Sequence, residues 1–265
     1  MEKTFSREFV FQLFALVISL ILVHAVYVTV VWPNADAVLT EQRAMMKEDP
    51  EYIAESSFYV IIKDYEQESC FVLMLWCLAI MTYKGRLAIE ERRLLEQALV
   101  PIPDGVRVLP EDARDYARQI EALPAAQRAL LLPRLLHHVL IRFGATRNIQ
   151  DVATSAHQLA TSEAERMESE LSMVRYILWA IPAIGFIGTV RGIGLALNMA
   201  HRAVEGDVSG VTENLGTAFN STLIALLISI LLMFLVHQLQ LLQERLVFEA
   251  ESYADDRLIR HLHAA

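Results

Sequence analysis

Two stretches of this chain put polar side chains where an apolar surrounding makes them costly. The first is Ile181–Ile193, IPAIGFIGTVRGI, in which Thr189 and Arg191 interrupt a greasy run. The second is Asn214–Ile230, NLGTAFNSTLIALLISI, with Asn214, Thr217, Asn220, Ser221, Thr222 and Ser229 but no charged residue. Hydroxyls at such positions can relay a proton or a hydrated cation. They cannot store a proton near neutral pH, because serine and threonine do not titrate there. Neither stretch holds an aspartate or glutamate in its apolar interior. A carboxylate that titrates during ion passage is therefore expected from another subunit. Thr189 alone also reads as a hydroxyl bonded to its own helix backbone. Arg191 at mid-membrane depth would cost at least about 2.5–3.5 kcal/mol, so it needs a partner or water. It either snorkels to the outer interface, pairs with a carboxylate of a neighbouring chain, or sets the potential of a pore.

The small residues around these groups are spaced for close approach. Gly185, Gly188 and Gly192 share one helix face at intervals of three and four, which admits another backbone. Pro182 frees a carbonyl one turn earlier and can bend its helix. Asn214, Thr217 and Ser221 form one stripe, and Ala218, Thr222, Ala225 and Ser229 form the adjacent one. Such a face suits packing around another helix or a narrow wet path. Pro182, the three glycines, Ala218 and Ala225 are assigned to helix packing around a partner. Thr217, Ser221 and Thr222 are candidates to line such a path.

Other chemistry finds no support. The glycines lie inside an apolar helix rather than between a strand and a helix, so they make no phosphate loop. His137 and His138 are adjacent, point about 100° apart on a helix and cannot share a metal. Cys70 and Cys77 lie seven apart within an apolar block and read as small buried side chains. No serine or cysteine stands in a nucleophile elbow. No enzyme activity, metal or cofactor is expected. A net charge of −9 gives no footprint for nucleic acid.

Four apolar blocks position these residues. They explain a hydrophobic content of 54% and a mean hydropathy of +0.35, high for a soluble chain. The blocks are Phe9–Trp32, ended by Pro33; Ser69–Tyr83; Tyr176–Ala200; and Leu215–Leu242. The first is too long for a signal-peptide core and has no cleavage site after it. The second is short, and needs either a thinned bilayer or a flanking turn. The stretch from Lys84 to Arg175 carries more than half of the 23 lysines and arginines. The stretch between the first two blocks has only Arg43, Lys47 and Lys63. After the third block come His201, Arg202, Glu205, Asp207 and Glu213. This balance puts the amino terminus, the central segment and the tail in the cytoplasm.

The fold expected is an all-α membrane protein with four transmembrane helices. A helical cytoplasmic domain stands between the second and third, and the long third helix extends into the cytoplasm. In residues, 1–83 hold helices 1 and 2 with an extracytoplasmic loop, and 84–172 the cytoplasmic helices. Residues 173–242 hold helices 3 and 4, and 243–265 a cytoplasmic tail. Within the central segment, Pro110-Glu111-Asp112 reads as a helix start and Gly144 as a stop.

About a third of the chain resembles the MotA/TolQ/ExbB proton-channel family. The likeness runs through Glu163–Val174 into Ile181–Ile193, and then Asn214–Ile230. Four spans with both termini inside resemble the MotA-like layout more than the three-span one. The resemblance implies a homopentamer around a dimer of a single-span MotB/TolR/ExbD-like subunit that brings a membrane aspartate. It also implies that Thr189 and Thr222 match the family's pore threonines, and Pro182 the proline that opens the third span. ExbB-like and TolQ-like members have an aromatic residue where Arg191 stands and a glutamate where Thr217 stands. The ion, proton or sodium, is left open.

The function expected is a stator-type channel subunit of an ion-driven motor in a bacterial inner membrane. The alternative is a membrane scaffold or sensor whose cytoplasmic helices form a docking platform, without ion conduction. A small-solute transporter is weaker, for want of an inverted repeat.

Overall fold

A computed structural model describes residues 2–48, 52, 57–103, 105–204, 206 and 208–264 of the 265. Glu205 and Asp207 of the short loop lie outside that set. In chain order the helices are α1 (Glu2–Val26), a π-helical turn (Tyr27–Val31), α2 (Trp32–Glu48), α3 (Phe58–Ile61) and α4 (Tyr65–Leu94). Then come α5 (Ala113–Glu121), α6 (Ala125–Arg128), α7 (Leu131–Thr146) and α8 (Ile149–Glu170). The chain continues with α9 (Ser172–Asn198), α10 (Ala200–Val204) and α11 (Ser209–Arg257). Among the described residues there is no β-strand, only an isolated bridge between Val108 and Leu262. Among the described residues, four helical runs are long and apolar enough to cross a membrane: Glu8–Met46, Tyr65–Leu94, Ile149–Asn198 and Ser209–His261.

Three boundaries differ from the sequence reading, each for a local reason. Pro33 does not end the first helix. The π-helical turn Tyr27–Val31 precedes it, and the widened turn accommodates a residue that brings no N–H to the ladder. The second span is not confined to Ser69–Tyr83. Its helix has 30 residues, about 45 Å at 1.5 Å per residue, ample for a bilayer core. It recruits the polar turns on both flanks, YEQE before and KGRLAIEERRL after. Gly144 does not stop α7. The helix runs to Thr146 and closes on Arg147, whose φ of 52° is left-handed.

The chain folds as two compact units. One comprises Met1–Met81 with Met173–Val236, and the other Thr82–Ser172 with His237–Ala265.

The first unit is inside out by the standard of a soluble protein. Phe9, Phe14, Leu20, Trp179, Val190, Phe219, Ile230 and Phe234 are exposed, while Ser221 and Ser229 are buried. That arrangement suits a hydrocarbon solvent, where small and hydroxyl residues mediate helix contacts. Two rings, one in the π-helical turn and one at the start of α2, reach the segment before α4. The Tyr27 hydroxyl donates to Ile62 O at 2.8 Å, and Trp32 Nε1 donates to Lys63 O at 2.9 Å. Trp76 Nε1 donates to Gln12 O at 2.8 Å.

The second unit has a conventional core. Leu135, Leu136, Val139, Leu140 and Phe143 of α7 are fully buried, at the three-and-four spacing of one helix face. Around them pack Ala117 and Ile120 of α5, Val152 and Ala156 of α8, and Leu246 and Ala250 of α11. The start of α7 lacks a local side-chain cap. Glu91 of α4 supplies one, accepting from the Leu131 backbone N–H. Lys84, nearly fully buried, is held by Glu170 at 2.5 Å. His137 and His138 turn to different partners, Glu121 at 3.0 Å and Ser155 Oγ at 2.6 Å.

The α7–α8 corner gives a pH prediction. Asn148 caps α8 by accepting from Asp151 N–H. Asp151 accepts a forked pair from Arg142 at 2.8 and 2.9 Å. That hydrogen bonding, together with the guanidinium charge, holds the Asp151 carboxyl below the usual carboxylate range. A carboxylate lowered in the folded state stabilises above its unfolded value, and the contribution is lost as pH falls through the folded one. Asp151→Asn is therefore expected to lower the melting temperature slightly at neutral pH. The gap to wild type should persist through about pH 4, the ordinary aspartate value, and close only below it. Melting curves of both proteins across pH 3–7 in detergent check this.

Candidate functional site

The third and fourth spans meet along a ladder of small residues. A Cβ placed on Gly185 would lie 2.6 Å from Ala225 Cβ. On Gly188 it would lie 2.5 Å from Ser221 Cβ, and on Gly192 2.7 Å from Ala218 Cβ and 2.8 Å from Asn214 O. All are closer than carbon atoms tolerate, so only glycine lets α9 sit against α11 here. Gly185, Gly188, Gly192, Ala218 and Ala225 thus meet one another within a single chain. Pro182 lies inside α9, half-buried, one turn before the ladder begins.

The ladder brings two hydroxyls together. Thr189 of α9 and Thr222 of α11 share a hydrogen bond. Thr222 Oγ1 also reaches Gly185 O at 3.0 Å, and Thr189 Oγ1 reaches both Gly185 O and Ala218 O at 3.2 Å. Two hydroxyl protons therefore face three acceptor oxygens: two carbonyls and a hydroxyl. Both side chains are half-buried, so lone pairs remain for a cation or a proton donor approaching from outside the pair. Thr217 and Ser221 lie elsewhere. Both are buried, and Ser221 Oγ donates to Thr217 O at 2.9 Å while its carbon presses on Gly188. Ser229 likewise bonds its own helix, at Ala225 O.

Arg191 finds its counter-charge within its own chain. Its guanidinium meets Glu66 through Nη2 to Oε2 at 2.8 Å and Nε to Oε1 at 2.7 Å. A second acid, Asp64, stands 3.6 Å away. Both come from the entry to α4. Burial pushes the Asp64 carboxyl above the usual range, against the pull of Lys63 and Arg191. One Asp64 oxygen and the Gln67 side-chain oxygen are buried without a hydrogen-bond partner among the described residues. Nearby, Glu213 takes Arg43 at 3.2 Å and Lys63 at 3.6 Å, and His24 meets Glu68 at 2.8 Å. Sequence reasoning missed Glu66 and Asp64. They read as ordinary acids in the first turn of a helix, and Glu66 is 125 residues from Arg191.

Among the described residues, no cluster of three His, Cys, Asp or Glu side chains is placed to hold a metal ion. The arrangement offers a pair of hydroxyls between two apolar helices, with an ion-paired arginine close by in sequence.

Residues 129–252 match the sequence model of the MotA/TolQ/ExbB proton channel family. No curated protein and no solved structure matches the chain.

Proposed function

We propose, from the match of residues 129–252 to the MotA/TolQ/ExbB proton channel family, that this chain is the channel-forming, stator-type subunit of an ion-driven motor complex. The observation that carries the reading is the Thr189–Thr222 hydroxyl pair over the Gly185 carbonyl, on helices held close by the glycine ladder. Five copies surround a dimer of a single-span MotB/TolR/ExbD-like subunit in a bacterial inner membrane, with both termini in the cytoplasm. A proton or sodium ion enters from outside and neutralises the partner's membrane aspartate beside Thr189 and Thr222. Neutralisation removes the cost of a charge at low dielectric. The partner dimer and the pentamer then turn relative to one another, and the turning does mechanical work. The chain supplies hydroxyls, shape and close packing; it supplies no catalytic group.

Reconstitution tests this directly. The purified chain is placed in liposomes with and without its single-span partner, under an imposed proton gradient and, separately, a sodium gradient. Flux is expected only when both proteins are present, and under one gradient more than the other. A complex that assembles but passes neither ion would instead support a scaffold without conduction.

A further inference from the structure

We infer that Glu66 is the counter-charge that keeps a cation path open past Arg191, so that the second span, through this one carboxylate, sets the channel's preference for cations. The inference rests on the channel reading above and adds to it a residue outside the third and fourth spans.

Arg191 stands two positions after Thr189, on the same helix as the hydroxyl relay. A bare guanidinium there, in low dielectric, would repel every cation approaching the hydroxyls. Glu66 removes that obstacle with both of its oxygens, at 2.7 and 2.8 Å from Arg191 nitrogens. The acid is the more buried partner: its side chain is 11% exposed against 39% for Arg191. The carboxylate is therefore built into the protein rather than drawn from a solvated surface. Its stem also reaches the seam. Glu66 Cγ lies 3.2 Å from the position of a Cβ on Gly188, beside Ser221. Gly188 and Ser221 are the chain neighbours of Thr189 and Thr222, so Glu66 packs one residue from the relay on both helices. Asp64, at 3.6 Å, adds a second acid on the same side.

The test compares charge states in the complex of the full chain with its single-span partner. Flux in liposomes is normalised to the amount of assembled complex. E66Q leaves Arg191 with only the more distant Asp64 as counter-charge and is expected to cut flux about tenfold. R191Q leaves Glu66 free to attract cations and is expected to raise flux about threefold. The double variant E66Q/R191Q, with neither charge, is expected to recover most of the loss. A pair that only braced the fold would behave differently: both single variants would fall together and the double would not recover. Such a result overturns the inference, as does wild-type flux in E66Q. If E66Q does not assemble, R191Q against E66Q/R191Q decides. The lone carboxylate should conduct at least about threefold faster, and equal rates overturn the proposal. A wild-type complex that passes no ion removes the channel reading and this inference together; a conducting wild type with an unaffected E66Q removes this inference alone.

Discussion

Gly192→Ala is expected to prise the third span from the fourth and cut ion flux at least about tenfold, while Gly194→Ala leaves the purified chain at least as stable as wild type. The two substitutions add the same methyl group to the same helix. At Gly192 that methyl meets Ala218 Cβ at 2.7 Å, Ala218 N at 2.8 Å and Asn214 O at 2.8 Å. None of these atoms is the tip of a flexible side chain, so relief requires moving a helix backbone. Overpacking of this kind costs about 1–3 kcal/mol, and the rigid neighbours put it at the upper end. Alanine returns about 1 kcal/mol of helix propensity, leaving a net loss near 2 kcal/mol. At Gly194 an added methyl would meet no described residue within 4 Å beyond its chain neighbours and its own helix backbone, so only the propensity gain remains. Melting temperature in detergent and flux in liposomes, measured for both variants, check the contrast. A Gly192→Ala protein with wild-type melting and flux would count against a seam this tight.

Thr189→Val combined with Thr222→Val is expected to abolish ion flux and cellular output while changing stability little. Valine keeps the shape of threonine and removes the hydroxyl. The carbonyls that the hydroxyls reach, Gly185 O and Ala218 O, sit within helices and keep their backbone partners. Removing both members of a hydrogen-bonded pair with shape preserved is close to neutral for folding. On the proposed reading, what is lost is the polar lining at the point where a partner's carboxylate is protonated or cation-bound in low dielectric. Each single variant leaves one hydroxyl, so the singles should retain part of the flux. A double variant that melts as wild type does and conducts as wild type does would remove the relay from the path.

Much of this was legible in the sequence because hydrocarbon imposes simple patterns. Four apolar blocks announced four helices, and the spacing of Gly185, Gly188 and Gly192 announced a face built for contact. Periodicity could not say how deeply each residue of the two adjacent stripes on α11 is buried; both stripes carry buried residues. Thr217 and Ser221 shared a stripe with Asn214, and Thr222 sat on the next; only packing separates the buried Ser221 from the half-buried Thr222. The partner of Arg191 was out of reach for another reason. An ion pair between residues 125 apart leaves no local signal, and acids at a helix start have a local explanation of their own. Pro33 misled because proline usually ends a helix, and a π-helical turn that absorbs it has no composition of its own.

That turn has a geometric consequence for its end of the first unit. Side chains five apart on a regular helix point about 140° away from each other, so Tyr27 and Trp32 could not both grip one short strip of chain. The wider winding between them lets both do so, at the neighbouring carbonyls of Ile62 and Lys63. Asp64 and Glu66 follow immediately. Rewinding that turn as regular α-helix would force one ring to let go, and the two acids would lose their anchorage. A change of winding in one rod thereby sets the address of carboxylates carried by another.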